Sequence, residues 1–278
     1  MVIKFVDSTL EAAIRERIAK PNGEIHNTDL FELKSLAGRP IARDVRIQTL
    51  EGIQHCADLT ELDLSNNWIT DISPLASMTG LTELNLFDNQ IVDVSPLSGL
   101  TDLTSLRLGR NRIINISALS GLRNLTTLGL MKNQISVIRP LSSLTNLKWL
   151  TLGFNPILNG DISALSCLTK LATLFICENG IANIRPLSGL SNLEEIHLGV
   201  NRIIDVSPLS GLLHLNSLSL GGNDIADLQG LVNNAGLGAG DKIFISHNYL
   251  DLRPSSAAML DIEALQDRGV NIDFYPQK

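Results

Sequence analysis

Residues 81–102 read LTELNLFDNQIVDVSPLSGLTD, and the same twenty-two-residue phrase returns, lightly edited, from residue 59 to about residue 240. Its opening, LxxLxL, alternates apolar and polar positions, the period of a half-buried strand. Leu84 and Leu86 then point inward, while Glu83, Asn85 and Phe87 face solvent. Asn89 follows, where the chain must leave the strand. A buried turn leaves backbone donors and acceptors without ladder partners, and these cost free energy unless paired. An Asn side chain carries both a donor and an acceptor, so one per copy can satisfy the turns above and below it. Ile91 and Val94 pack inward next. Ser95-Pro96-Leu97 predicts a 3₁₀ turn or irregular coil, because Pro suits a first turn and the segment is too short for a stable α-helix. Leu97 and Leu100 close the core.

The register is carried by the turn asparagines Asn67, Asn89, Asn111, Asn133, Asn155, Asn179, Asn201, Asn223 and Asn248, whose spacings are 22, 22, 22, 22, 24, 22, 22 and 25. One copy cannot bury its own apolar stripe, but stacked copies build one continuous core and one parallel sheet. The reading is an α/β leucine-rich-repeat solenoid. A curved horseshoe is expected, with the parallel sheet on its concave face, 3₁₀ turns and coil on the convex side, and helical caps at both ends.

Three stretches make up that single continuous domain. Residues 1–58 form an N-terminal helical cap plus a half repeat, 59–250 the repeats, and 251–278 a C-terminal helical cap. A helix is predicted over 5–21, with Ser8 and Glu11 at capping-box spacing and Leu10, Ile14 and Ile18 on its apolar face. A second is predicted over 28–36, with Leu30, Leu33 and Leu36 inward. Ile47, Leu50, Ile53 and Cys56 match Ile69, Ile72, Leu75 and Met78 one repeat later. Eight full copies begin at Leu59, Leu81, Leu103, Leu125, Leu147, Leu171, Leu193 and Leu215. The fifth is longer by two residues near Leu158-Asn159-Gly160, which reads as loop drift, as a local change of curvature, or as a pocket beside the concave site. A flexible loop over 232–240, a strand over 242–246, a helix over 255–268 ended by Gly269 and a strand over 270–274 complete the chain.

Charged residues make up 18 % of the chain and the net charge is −7, which argues against nucleic acid or an anionic membrane as the main partner. No apolar run reaches membrane-spanning length, so no membrane insertion is expected. The first eighteen residues hold no signal-peptide core, which places the chain in the cytoplasm or puts a signal upstream of it. Three cysteines make no disulfide framework: Cys56 falls at a core position, Cys167 on the convex side and Cys177 at an outward strand position. The five histidines are scattered without metal-ligand spacing. Asp71, Asp93, Asp205 and Asp227 recur at one repeat position and are read as bonding their local turn backbone rather than calcium, since Val137 takes the same place. Cys177 and His197 lie one repeat apart with Glu195 nearby, yet neither an oxyanion hole nor a third orienting group accompanies them. No enzyme activity, no metal and no cofactor are expected.

The outward strand positions and the residue before each Asn compose the concave face. Of two Trp, two Tyr and seven Phe, five fall there: Phe87, Trp149, Phe154, Phe175 and Phe244. Leucines fill the core, so two readings compete: binding anchors, or rings that stack across the sheet to stabilise it. The candidate ligand-binding residues are Phe87, Arg107, Arg110, Met131, Lys132, Trp149, Phe154, Phe175, Glu195 and His197. Acidic side chains crowd the first copies and basic ones the third and fourth, an asymmetry able to orient a ligand.

The repeats resemble those of internalins and related bacterial surface proteins. ITDISPLASMTGLTELNLFDNQIVDVSPLSGLT carries the short-repeat signature, and FVDSTLEAAIRERIAK, HNTDLFEL and IQTLEGIQHCADLTELDL resemble the internalin helical cap running into its first repeat. The C-terminal helix stands where an internalin has an immunoglobulin-like domain. The resemblance implies extracellular recognition of a protein ligand on the concave face by a non-enzymatic, monomeric module, secreted or held at the cell surface. Two alternatives stay open: an intracellular scaffold that regulates a partner enzyme, and a glycan-binding surface domain in which Trp149 and Phe175 stack on sugar rings.

Overall fold

The computed structural model describes residues 1–38 and 45–278. The chain forms two compact units, Met1–Ile135 and Ser136–Lys278. In the first, β1 (Val2–Ile3) precedes helix α1 (Ser8–Arg17) and pairs antiparallel with β2 (Ile25–His26). Five parallel strands follow: β3 (Ser35–Ala37), β4 (Glu61–Asp63), β5 (Glu83–Asn85), β6 (Ser105–Arg107) and β7 (Thr127–Gly129). Behind each repeat strand lies the expected 3₁₀ turn, as at Ser73–Ser77, Ser95–Gly99 and Ser117–Gly121. Leu84, Leu86, Ile91, Val94, Leu97 and Leu100 are each no more than 1 % exposed. Burying an aliphatic side chain of this size contributes about 2 kcal/mol, so the leucines dominate the favourable energy of each copy.

The N-terminal cap departs from expectation twice. Helix α1 is shorter than 5–21, and its N-cap is Asp7 rather than Ser8. Asp7 Oδ1 accepts the Thr9 and Leu10 N–H groups at 2.8 and 3.1 Å, and Oδ2 accepts the Gln48 N–H at 2.7 Å. One carboxylate thus ends the helix and ties it to the half repeat, which a capping box could not do. The helix predicted over 28–36 is instead a 3₁₀ turn, Asn27–Leu30, followed by β3. Leu30, Leu33 and Leu36 are buried as expected. Pairing of Leu36 with Leu62 decides for the strand, since β3 extends the sheet one place beyond the first full copy.

The asparagines form a ladder that reaches one copy back. Asn89 Oδ1 accepts the Ile69 N–H at 3.0 Å, while Nδ2 donates to Leu64 O at 2.9 Å and to its own Leu86 O at 3.1 Å. Asn111 repeats the pattern on Ile91, Leu86 and Leu108, and Asn133 on Ile113, Leu108 and Leu130. Each side chain therefore closes its own turn and the preceding one, not the turns on both sides. Among the described residues no buried side-chain nitrogen or oxygen lacks a partner.

The second unit carries β8 (Trp149–Thr151), β9 (Thr173–Phe175), β10 (Glu195–His197), β11 (Ser217–Ser219), β12 (Lys242–Phe244) and β13 (Asn271–Asp273), all parallel. Its insertion follows Pro156. In the copies at Asn67, Asn89, Asn111, Asn133, Asn201 and Asn223 the residue after the Asn donates to the copy before, as Gln90 N–H does to Ile69 O at 2.9 Å. Pro156 has no N–H to donate. Leu158 N–H donates to Ser136 O instead, at 2.8 Å, and Leu158–Gly160 winds one 3₁₀ turn with Asn159 and Gly160 left-handed. A Cβ on Gly160 would lie 2.8 Å from Gly180 O, so this turn packs closely on the next copy.

The segment 232–240, expected to be a flexible loop, is tied down by hydrogen bonds. After helix α2 (Gln229–Val232), Asn234 is fully buried and donates to Leu209 O and Leu212 O at 2.9 and 3.0 Å. Arg268, past the end of helix α3 (Ala257–Asp267), donates to Val232 O at 2.8 Å and to the carbonyls of Asn234 and Leu237. Ser256 caps α3 and Gly269, at φ +85°, ends it. Strands β12 and β13 are each shorter than the ranges expected from sequence.

Candidate functional site

The residue before each turn asparagine is left-handed: φ lies at 57° for Asp88, 54° for Arg110 and Lys132, 61° for Phe154, 53° for Glu178 and 55° for Val200. Only Gly adopts this conformation without strain, and Gly222 holds the matching place in the eighth copy. The turn lifts these side chains clear of the core, and Arg110, Lys132, Phe154 and Val200 are exposed.

In the first unit the ladder brings Phe87, Arg110 and Met131 together around Gly109. The Arg110 guanidinium carbon lies 5.6 Å from the Phe87 ring centroid. A Cβ on Gly109 would come within 3.0 Å of Phe87 and 3.1 Å of Met131, so the glycine's missing side chain is the space the two occupy. Arg107 sits apart, in an open cleft of about 710 Å³ between α1 and the sheet face. Glu16 and Arg17 of the helix line one side of it, and Glu61, Asp63 and Glu83 the other. Arg17 Nε donates to Ser35 O at 3.1 Å, which fixes the helix against the edge of the sheet. The sequence gives the acidic strand positions, but the helical wall depends on where α1 docks.

In the second unit four candidates form one strip across β8, β9 and β10. Trp149 and Phe175 have ring centroids 6.4 Å apart, tilted by 49°. Phe175 and His197 stack at 4.2 Å with an interplanar angle of 11°. His197 Nε2 is 2.9 Å from Glu195 Oε1. All four are half-buried, with His197 and Glu195 side chains 33 % and 36 % exposed. The rings stack on one another across the strands and stay partly open to solvent. Thr151, two residues after Trp149 on the same strand, is 5 % exposed. Phe154 is 37 % exposed at its left-handed turn position.

The repeated aspartates bond their own turns. Asp93 Oδ1 accepts the Ser95 N–H at 2.8 Å, and Asp161, Asp205 and Asp227 do the same two residues on. The Ser95 and Ser163 backbone and side chain hold the Asp93 and Asp161 carboxyls below the usual carboxylate range, and the Ser207 hydroxyl and N–H do so for Asp205. Burial pushes the Cys56 thiol up to about 12, as fits a core cysteine that stays protonated. Among the described residues, no group of three or more His, Cys, Asp and Glu is placed to hold a metal. No helix among them is long and apolar enough to cross a membrane.

The model of paired leucine-rich repeats matches residues 79–121, 169–211 and 191–233, and a single leucine-rich-repeat model matches 55–72. No curated protein matches the sequence. Among solved structures, internalin C2 of Listeria monocytogenes is 33 % identical, with 84 % of this chain and 91 % of that one covered and a TM-score of 0.69. Internalin F of the same organism is 25 % identical over 98 % of this chain and 96 % of that one, also at 0.69. A leucine-rich-repeat protein of Leptospira interrogans shares the fold at 24 % identity, with 82 % and 57 % covered and a TM-score of 0.74. The chain belongs to the internalin-like family of bacterial leucine-rich-repeat proteins.

Proposed function

We propose that this protein is a non-enzymatic recognition module that binds a protein ligand on the solvent face of its sheet, the side expected to be concave, in a surface or secreted setting. The observation that carries this is the strip Trp149, Phe175, His197 and Glu195 on three neighbouring strands. Trp and Tyr lead interface hot spots together with Arg, and a half-exposed aromatic that a partner covers contributes about 2 kcal/mol or more. The first unit offers its own patch of the same character in Phe87, Arg110 and Met131, with Arg107, Lys132 and the acidic cleft beside it. Family membership supports the recognition role and the surface setting. Capture of a surface protein by the wild type, lost in the Trp149→Ala/Phe175→Ala variant, is the test. A ligand found only in the producing cell's own lysate supports the scaffold alternative instead.

A further inference from the structure

The row that holds Phe175 and His197 continues for two more strands. Parallel register aligns Phe175 of β9 with His197 of β10, Ser219 of β11 and Phe244 of β12. The Phe175–His197 separation, 4.2 Å, is close to the distance between neighbouring strands, about 4.8 Å. Rings stacked at that distance across the strands turn their faces along the row. The second face of His197 therefore looks toward Ser219, and past it stands Phe244, 44 % exposed. One place in a series of rings is empty. Its floor is the half-buried Ser219. His197 and Phe244 are two strand spacings apart, roughly 9.6 Å, so one flat group above Ser219 stands one strand spacing from each of the two aromatic residues. The end of the gap at Gly221 is open: a Cβ there would meet nothing nearer than Ser246 O at 3.4 Å.

Glu195, on the His197 side, is engaged by the imidazole at 2.9 Å. Lys242, on the Phe244 side, is exposed and has no ion pair among the described residues. The gap is thus bordered on one side by an exposed ammonium without an ion pair among the described residues, which attracts a carboxylate placed next to a ring in the gap, and on the other by the Glu195 carboxylate held at His197.

We infer that this gap receives an aromatic side chain from a peptide segment of the protein ligand, with an acidic group beside the ring paired to Lys242. The inference rests on the reading of the sheet face as the binding surface and adds the chemistry of the anchor. The test is an NMR titration of the intact chain with N-acetyl-L-phenylalanine, its amide and N-acetyl-L-argininamide, following the His197 ring signals. Saturable shifts are expected for both phenylalanine probes, with the acid bound roughly fivefold tighter than the amide, the scale of one exposed ion pair. Lys242→Ala should erase that preference. Ser219→Phe, which fills the gap with the chain's own ring, should abolish the shifts without lowering the melting temperature, and Phe244→Ala, at an exposed position, should weaken them. No saturable shift, equal binding of the arginine probe, or shifts that survive both Ser219→Phe and Phe244→Ala would overturn the inference. If ligand capture still depends on Trp149 and Phe175 in that case, the sheet face keeps its role and only the gap loses it.

Discussion

Phe175 and His197 stack at 4.2 Å while the same imidazole bonds Glu195 at 2.9 Å, so one histidine joins the aromatic strip to its only carboxylate. His197→Phe keeps the stack and gives up the carboxylate bond, whereas His197→Ala gives up both. Ligand capture should survive the first and fall about tenfold in the second, as expected for loss of a contributor above 1 kcal/mol. Equal losses would place the role in the Glu195 bond instead.

Buried asparagines should be the costliest polar residues to remove. Asn111→Ala leaves the buried Ile91 N–H and the Leu86 and Leu108 carbonyls without their side-chain partner. A loss of about 3 kcal/mol or more is expected in urea unfolding. Asn115→Ala, which breaks only an exposed turn bond to Ser117 N–H at 2.9 Å, should cost about 1 kcal/mol or less.

Val200 is a β-branched residue held at φ 55° and 57 % exposed. Val200→Gly relieves backbone strain while raising the entropy of the unfolded chain, for a net gain of about 0.5 to 1 kcal/mol. Calorimetry should show a higher melting temperature; a lower one would mean that the Val200 side chain packs usefully where it stands.

Acid should destabilise the chain through its turn aspartates. Hydrogen bonds from Ser95, Ser163 and Ser207 hold the folded pKa values of Asp93, Asp161 and Asp205 below the usual carboxylate range. Their stabilisation is complete above the unfolded carboxylate value, about 3.9, and is lost as pH falls below it through the folded values. Asn115 and Asn183 form the same turn bond without a titrating group. The triple variant Asp93→Asn, Asp161→Asn, Asp205→Asn should therefore melt slightly lower at neutral pH and lose less of its melting temperature below about pH 4. An unchanged acid limb would assign acid sensitivity to other carboxylates.

Period carries most of what can be read without coordinates. Asn89 and its equivalents recur every 22 residues with two exceptions, which locates the repeat strands, their inward leucines and the outward place of Trp149 and Phe175. Where the period stops, local pattern misleads. Leu30, Leu33 and Leu36 suit a helix face, yet pairing with β4 makes Leu36 a strand residue. Gln277 shows the same limit: its Oε1 accepts the Asn248 N–H at 2.9 Å, as Asn201 Oδ1 accepts that of Asn179 at 3.1 Å. It ends the asparagine ladder from a different residue type at an irregular spacing, so no repeat count finds it. Grouping within the candidate site was likewise hidden. Register placed His197 and Phe175 side by side, but only rotamers stack them, and only the docking of α1 walls the acidic cleft.

The most direct measurement is quantitative capture of a surface-extract protein by immobilised wild type and by Trp149→Ala/Phe175→Ala, with melting curves for both. Ligand should be held by the wild type alone. The melting temperature should fall by no more than a few degrees, since each ring pair adds about 1 kcal/mol beyond simple burial. Equal capture by both proteins, or a double variant that has lost its cooperative unfolding, would contradict the assignment of the sheet face as the recognition surface.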